Sequence, residues 1–87
     1  MIVRGRVQGV GFRAATAYEA RRLAVRGWVR NRMEGDVEVL AVGDAAAVDV
    51  LLAWLGEGPR GAHVSGLDVD DAPTAVGLEN LDGFKIR

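Results

Sequence analysis

The sequence predicts an α+β fold, a two-layer sandwich in which an antiparallel β-sheet carries two α-helices on one face. Short segments of alternating apolar and polar residues are typical of half-buried strands, and two of the gaps between them hold apolar residues at helical spacing. A short link with one glycine joins two of these strands in mid-chain, which indicates a hairpin and therefore antiparallel pairing. The length of 87 residues suits one such domain, spanning residues 1–87.

The first third of the chain predicts a strand followed by a helix. Small or apolar residues alternate with two arginines over residues 2–7 (IVRGRV), and helical spacing begins at Arg13. We expect Gly27 to end this helix, because glycine is common just beyond a helix C-terminus. Arg13 falls on the side of the helix that bears Ala17 and Ala20, which is expected to pack on the sheet. A charge at that position indicates a bound anion.

The middle third predicts a hairpin and a second helix. Residues 28–31 and 36–42 read as two strands, and residues 32–35 connect them with a glycine at the end. Asp44 is suited to cap a second helix, whose apolar residues recur at i, i+3, i+4 and i+7. Residues 56–59 (GEGP) are expected to end that helix.

The last third predicts two more strands. The first covers residues 64–71, with Leu67 and Val69 facing inward and an irregularity at residues 65–66, where the alternation slips. Residues 72–83 are predicted to form a loop, and the alternation of the last four residues predicts a short terminal strand. The order β-α-β-β-α-β with an added strand is that of a ferredoxin-like sandwich.

Composition limits the classes of function. No apolar run approaches the length of a membrane span and no signal peptide is visible, so we expect no membrane association. The absence of cysteine excludes disulfides, thiolate metal sites and cysteine nucleophiles, and it agrees with a cytoplasmic location. The carboxylates show no metal-ligand spacing, so neither a metal nor a cofactor is expected.

The net charge of −1 hides a segregation of charge along the chain. Residues 1–32 contain eight arginines and one glutamate, whereas residues 33–87 contain three basic and eleven acidic residues. This distribution favours an anionic ligand near the N-terminal third, although the two regions can also simply pair with each other. An overall basic excess and exposed aromatic residues on the middle strands are both missing, so no nucleic-acid partner is expected.

Residues 8–13 (QGVGFR), called here the glycine loop, lie between the first strand and the first helix. Glycine lets the backbone turn, and a helix start offers N–H groups without intrahelical partners and the positive end of the helix dipole. Arg13 adds a planar fork of donors that fits two phosphate oxygens. The loop therefore predicts an oxyanion site, for phosphate, with these binding residues: Gln8, Gly9, Val10, Gly11, Phe12 and Arg13.

Residues 9–14 also fit the G-x-G-x-x-A pattern of a dinucleotide-binding turn. That interpretation fails, because the second strand ends in Arg30 and Asn31 where an acidic ribose ligand is expected, and a hairpin follows. A chain of 87 residues is also too short for a doubly wound sheet.

Three segments resemble the signatures of the acylphosphatase family: residues 7–13 (VQGVGFR), 27–31 (GWVRN) and 34–38 (EGDVE). Residues 58–59 and 83–84 also resemble that family, so the likeness covers essentially the whole chain. The ferredoxin-like fold of the family agrees with the one predicted above.

The resemblance implies hydrolysis of an acyl phosphate, a small molecule, to a carboxylate and inorganic phosphate. It implies that Arg13 binds the phosphoryl group and that Asn31 holds the attacking water. We expect a monomer that needs no metal ion, with inorganic phosphate as product and competitive inhibitor. The chemistry is consistent, because a carboxylate of low pKa leaves without a strong general acid. A neutral amide can also both donate to and accept from a water molecule.

Other readings stay open from the sequence alone. The same glycine loop can serve a non-catalytic anion-binding or regulatory domain, and an isolated Asn31 at a strand end can be an ordinary turn residue. Thr16, one turn into the first helix, can face the anion or pack in the core. His63, the single histidine, has no catalytic neighbour in sequence and is expected at the surface.

Overall fold

The computed structural model describes residues 1–70 and 82–87, and it has the predicted order of elements. The elements are β1 (Ile2–Arg6), α1 (Phe12–Arg22), β2 (Arg26–Asn31), β3 (Val37–Val42), α2 (Ala45–Glu57), β4 (His63–Asp68) and β5 (Phe84–Ile86). The predicted loop at residues 72–83 lies outside the described residues, apart from its last two. Neither helix in the described part is long and apolar enough to cross a membrane.

The strands form one five-stranded sheet in the order β4-β1-β3-β2-β5. The first four pair antiparallel, as the ferredoxin-like prediction requires, but β5 pairs parallel to β2. The prediction of an antiparallel sheet is therefore wrong for this one strand, and the sheet is mixed. The reason is directional: β4 runs in the same direction as β3, whereas β5 runs in the opposite direction and pairs with the outer edge of β2.

The irregularity predicted in β4 is a register shift against β1. Arg4 pairs with Gly66 and Gly5 pairs with Val64, so Ser65 is the extra residue of a bulge. Leu67 packs against the core as expected. Val69 does not, because β4 ends at Asp68 and the Val69 side chain is 51% exposed.

Gly27 does not end α1, contrary to the prediction. The helix ends at Arg22, and the chain turns at Ala24, whose φ of 58° is left-handed. The Val25 N–H donates to the Ala20 carbonyl at 2.8 Å and closes the turn. Gly27 lies inside β2 with φ 141°, where a Cβ would come within 1.8 Å of the Leu40 carbonyl oxygen. Its glycine is needed for the close approach of β3.

The second helix follows its prediction closely. Asp44 occupies the N-cap position, where its backbone carbonyl accepts from the Val48 N–H at 2.9 Å, although its side chain makes no capping bond. The periodic leucines Leu51 and Leu55 are fully buried. Gly58 ends the helix with φ 73°.

The hydrophobic core lies between the two helices and the sheet, and it anchors the start of α1. Phe12, the first residue of that helix, is fully buried, and its ring centroid lies 5.8 Å from that of Trp54. Burial of a phenylalanine side chain contributes roughly 1.5–3 kcal/mol. The other fully buried apolar residues are Val3, Val7, Ala17, Ala20, Val25, Val29, Val37, Val39, Leu51, Leu55 and Phe84.

We predict that Gly27→Ala is much more destabilising than Gly35→Ala. Both glycines have positive φ, which costs an alanine about 1–3 kcal/mol. Only Gly27 also has backbone in the way, whereas nothing lies within 4 Å of a Cβ at Gly35, so Gly27→Ala adds a further overpacking cost of about 1–3 kcal/mol. Urea unfolding of both variants measures the difference, and equal losses would contradict the proposed close approach.

Candidate active site

Three strand ends meet at one edge of the sheet and form a pocket. β1, β2 and β5 all run in the same direction, since β1 and β2 are each antiparallel to β3 and β5 is parallel to β2. The glycine loop follows β1, Asn31 is the last residue of β2, and Ile86 is the last residue of β5. The pocket has a volume of ≈ 200 Å³ and is lined by Val7, Gly9, Gly11, Phe12, Arg13, Ala14, Asn31 and Ile86.

The glycine loop turns directly into α1 with its backbone exposed. Gly9 has φ 75° and Gly11, the N-cap residue, has φ 78°, both in the left-handed region. No atom would lie within 4 Å of a Cβ at either position, so the space beside the loop is open. The Ala15 N–H donates to the Gly11 carbonyl at 3.0 Å, and the helix N–H groups before it have no carbonyl one turn earlier in the helix.

Thr16 belongs to the packing of α1. It is fully buried, and its hydroxyl donates to the Phe12 carbonyl at 2.8 Å. Of its two sequence-based interpretations, the packing role is the one that its contacts support.

Arg13 lies half-buried at the edge of the pocket. Its Nη1 donates to the backbone carbonyl of Arg87 at 2.9 Å, a contact that no pattern in the sequence predicts. Within residues 1–70 and 82–87, no side-chain carboxylate lies within ion-pair distance of Arg13. Other arginines do have such partners, in the pairs Arg4–Asp68, Arg22–Glu19, Arg30–Glu38 and Arg32–Asp36. The cation that faces the pocket is therefore available to an anion.

Asn31 is exposed at the end of β2, opposite Val37 of β3. The turn that follows is the predicted hairpin: the Arg32 N–H donates to the Asp36 carbonyl at 2.9 Å, and the Gly35 N–H donates to the Arg32 carbonyl at 3.1 Å. The structure thus brings Asn31 and Arg13 into one pocket, although they are far apart in sequence.

Gln8 and Val10 do not line the pocket, unlike the other four predicted binding residues. Val10 packs against the core. The Gln8 side chain turns toward the hairpin, where its Nε2 donates to the carbonyls of Arg32 and Asp36 at 2.8 and 2.9 Å. Sequence reasoning missed this contact and also the place of Ile86 in the pocket wall.

The hairpin turn carries its own ion pairs. Arg32 donates to the Glu34 carboxylate, and this hydrogen bond holds the pKa of Glu34 below its usual range and raises the pKa of Arg32. Whatever this pair contributes to stability is present at neutral pH and is lost as the pH falls through the lowered pKa of Glu34. Arg32 also pairs with the buried Asp36 at 3.2 Å, so its charge is compensated locally.

No metal centre accompanies the pocket in the part of the chain that is described. No group of three or more His, Cys, Asp or Glu side chains there could hold a metal ion. His63 is exposed at the start of β4 and is not among the pocket residues, in line with the surface position expected for it.

Comparison with known proteins identifies close relatives. The sequence model of the family described as Acylphosphatase matches residues 1–86. The chain is 49% identical over 85 residues to an acylphosphatase of Pseudomonas aeruginosa, covering 98% of this chain and 89% of that one. It is 48% identical over 85 residues to an acylphosphatase of Rubrobacter xylanophilus, covering 98% and 74% of the two chains.

Solved structures agree with this likeness. The crystal structure of an acylphosphatase from Bacillus subtilis superposes with a TM-score of 0.90 at 36% identity, covering 99% of this chain and 92% of that one. A structure of an acylphosphatase from Coxiella burnetii gives a TM-score of 0.79 at 36% identity, covering 99% and 86%.

We predict that inorganic phosphate stabilises the protein against heat and that Arg13→Ala abolishes the effect. A ligand at about 100 times its Kd adds about 2.7 kcal/mol, which for a domain of this size raises Tm by roughly 10–20 °C. Arg13→Lys should recover little, because an ammonium group lacks the planar fork. Arg22→Ala is the matched control, since Arg22 lies at the other end of α1 and pairs with Glu19. A phosphate shift that survives in Arg13→Ala would place the anion elsewhere.

Proposed function

The chain belongs to the acylphosphatase family and is an acylphosphatase, and we propose that the glycine loop and Arg13 bind the phosphoryl group of the substrate while Asn31 orients the attacking water. The observation that carries this assignment is the shared pocket of ≈ 200 Å³, which is lined by Arg13, Gly9, Gly11 and Asn31. The reaction converts an acyl phosphate and water to a carboxylate and inorganic phosphate.

The glycine loop suits the charge of a phosphoryl group in transfer. That group spreads negative charge over three equatorial oxygens, and catalysis consists mainly of positioning and electrostatic stabilisation. The N–H groups at the start of α1 supply fixed dipoles, and the Arg13 guanidinium supplies a charge that no side-chain carboxylate of the described residues pairs with. Because Gly11 provides no capping side chain, those N–H groups stay available to the ligand.

Asn31 suits the attacking water. The water must approach opposite the leaving oxygen, so a group outside the glycine loop has to hold it. Asn31 reaches the pocket from β2, a different element from the one that binds the phosphoryl group. Its amide oxygen can accept a hydrogen bond from the water while its NH2 group donates one to another oxygen. A domain that only bound anions would not need this second group.

The remaining features of the reaction are also proposals. The leaving carboxylate has a low pKa and needs no strong general acid. The loop N–H groups and the Arg13 guanidinium can stabilise the negative charge of the phosphoryl oxygens. We therefore propose a reaction without a metal ion or cofactor. Inorganic phosphate offers the same oxygens as the substrate, which supports competitive inhibition by this product.

We also propose that the protein acts as a monomer in the cytoplasm without a nucleic-acid partner. The absence of cysteine is compatible with a reducing compartment. Trp28 on the open face of the sheet is covered by the guanidinium groups of Arg30 and Arg87, at 5.0 and 5.1 Å from the ring centroid. A ring covered in this way is a poor stacking platform for a base.

We predict that hydrolysis of benzoyl phosphate continues at an unchanged rate in excess EDTA. The positive charge that stabilises the phosphoryl oxygens comes from Arg13 and the loop N–H groups, so removal of divalent ions should remove nothing from the site. The measurement is the initial rate with and without chelator, beside a phosphate monoester as a control substrate. Activity lost on chelation and restored by Mg²⁺ would sink this mechanism.

We predict that Asn31→Ala abolishes turnover but leaves inhibition by inorganic phosphate nearly intact. Loss of one positioned polar group in a transition state typically lowers kcat by about 10² to 10³. Asn31→Asp should weaken phosphate binding as well, because its carboxylate repels the anion. Met33→Ala is the control, since Met33 is fully exposed nearby at the hairpin tip. Wild-type turnover in Asn31→Ala would show that Asn31 is only a hairpin residue.

A further inference from the structure

The side chain of Gln8 connects the glycine loop to the hairpin that follows Asn31. Its Nε2 donates one hydrogen bond to the Arg32 carbonyl at 2.8 Å and another to the Asp36 carbonyl at 2.9 Å. Both partners are carbonyl oxygens, which can only accept, so they fix the amide with its nitrogen toward the hairpin. The backbone of Gln8 meanwhile stays in the glycine loop.

The two carbonyls flank the turn that follows Asn31. Arg32 directly follows Asn31, and Asp36 directly precedes Val37, the strand partner of Asn31. The Arg32 N–H also donates to the Asp36 carbonyl, so Gln8 binds both ends of a turn that this hydrogen bond already closes. A shift of this turn would move Asn31 with it.

Strand pairing does not make the same connection. β1 and β2 are not neighbours in the sheet, because β3 lies between them. The pairing of β1 with β3 involves Ile2 and Val3, well before the glycine loop. After Val3, the hydrogen bonds that join the glycine loop to the hairpin following Asn31 are, among the described residues, those of the Gln8 amide.

We propose that Gln8 is a positioning residue that sets the distance between the phosphoryl group on the glycine loop and the water held by Asn31. This inference rests on the proposed roles of Arg13 and Asn31. A misplacement of about 1 Å between reacting groups can cost about 10² in rate, so two hydrogen bonds at this junction can affect turnover without touching the substrate.

The first test is Gln8→Met, which keeps the length of the side chain and removes both donors. We expect kcat to fall by about 10- to 100-fold and inhibition by inorganic phosphate to change little, because the loop N–H groups and Arg13 remain. The fold should persist, since the Arg32 and Asp36 carbonyls each keep another donor, Gly35 N–H and Arg32 N–H respectively. Wild-type kcat in a folded Gln8→Met would overturn the proposal.

The control for stability is Arg21→Met. The Arg21 side chain also donates two hydrogen bonds to a backbone carbonyl, that of Phe84, at 3.2 and 2.7 Å. It lies at the far end of α1 from the glycine loop. Arg21→Met should lower the free energy of unfolding and leave kcat unchanged, so an equal loss of kcat in both variants would show that general destabilisation explains the effect of Gln8→Met.

The second test is a double-mutant cycle with Asn31→Ala. If Gln8 acts through Asn31, Gln8→Met should lower kcat in the wild-type background and have almost no effect in the Asn31→Ala background. An equal fold-loss in both backgrounds would overturn the proposal. The Asn31→Ala single variant reports separately on the proposed function: if it turns over normally, the assignment of Asn31 fails, and the positioning role of Gln8 fails with it.

The third test uses pH and does not depend on Gln8→Met. Gln8→Glu places a carboxylate against two carbonyl oxygens, whose partial negative charges should raise the pKa of the new side chain. At neutral pH the carboxylate cannot donate to these carbonyls, so kcat should be lower than in wild type. Below that pKa the neutral acid regains one O–H donor. The kcat of Gln8→Glu relative to wild type should therefore rise as the pH falls. A ratio that stays constant from neutral to acidic pH would overturn the proposal.

Discussion

The proposed phosphoryl site depends on the backbone N–H groups at the start of α1, to which no side chain of the described residues supplies a capping oxygen. Most helices satisfy one of these groups with a capping side chain, which contributes about 1 kcal/mol. Here Gly11 has no side chain to offer, and the first turn contains no acidic residue. The helix is held instead by burial of Phe12 and by the Thr16 bond to its carbonyl. Stability therefore comes from the buried face of the first turn, and the exposed face stays open on the side of the pocket.

Strand direction decides which groups can reach that face. Because β1, β2 and β5 run the same way, their carboxyl ends lie at one edge of the sheet, where they contribute the glycine loop, Asn31 and Ile86. The two other strands end at the opposite edge. The parallel strand β5 thus does more than extend the sheet, because its direction brings Ile86 to the pocket and the Arg87 carbonyl to Arg13.

The sequence was sufficient for features that depend on local periodicity. The strands, both helices, the hairpin and the bulge at residues 65–66 all leave local patterns, and the glycine loop is recognisable by its composition and place. Features that depend on distant neighbours left no pattern. Gly27 looks like a helix stop in sequence, but its conformation is dictated by the approach of Leu40 in β3. The direction of β5 and the end of β4 before Val69 are also decided by tertiary pairing.

The same distinction applies within the site. The place of Arg13 in the pocket could be predicted, because a charge on a packing face of a helix is a local anomaly. The amide of Gln8 could not, because its partners are backbone carbonyls that carry no mark in the sequence. A glutamine before two glycines looks like part of the loop backbone, and only the folded hairpin shows that its side chain donates to the hairpin carbonyls. In the proposed mechanism, phosphate binding and water positioning belong to separate elements, and a junction between them is needed for the two to act on the same phosphorus atom.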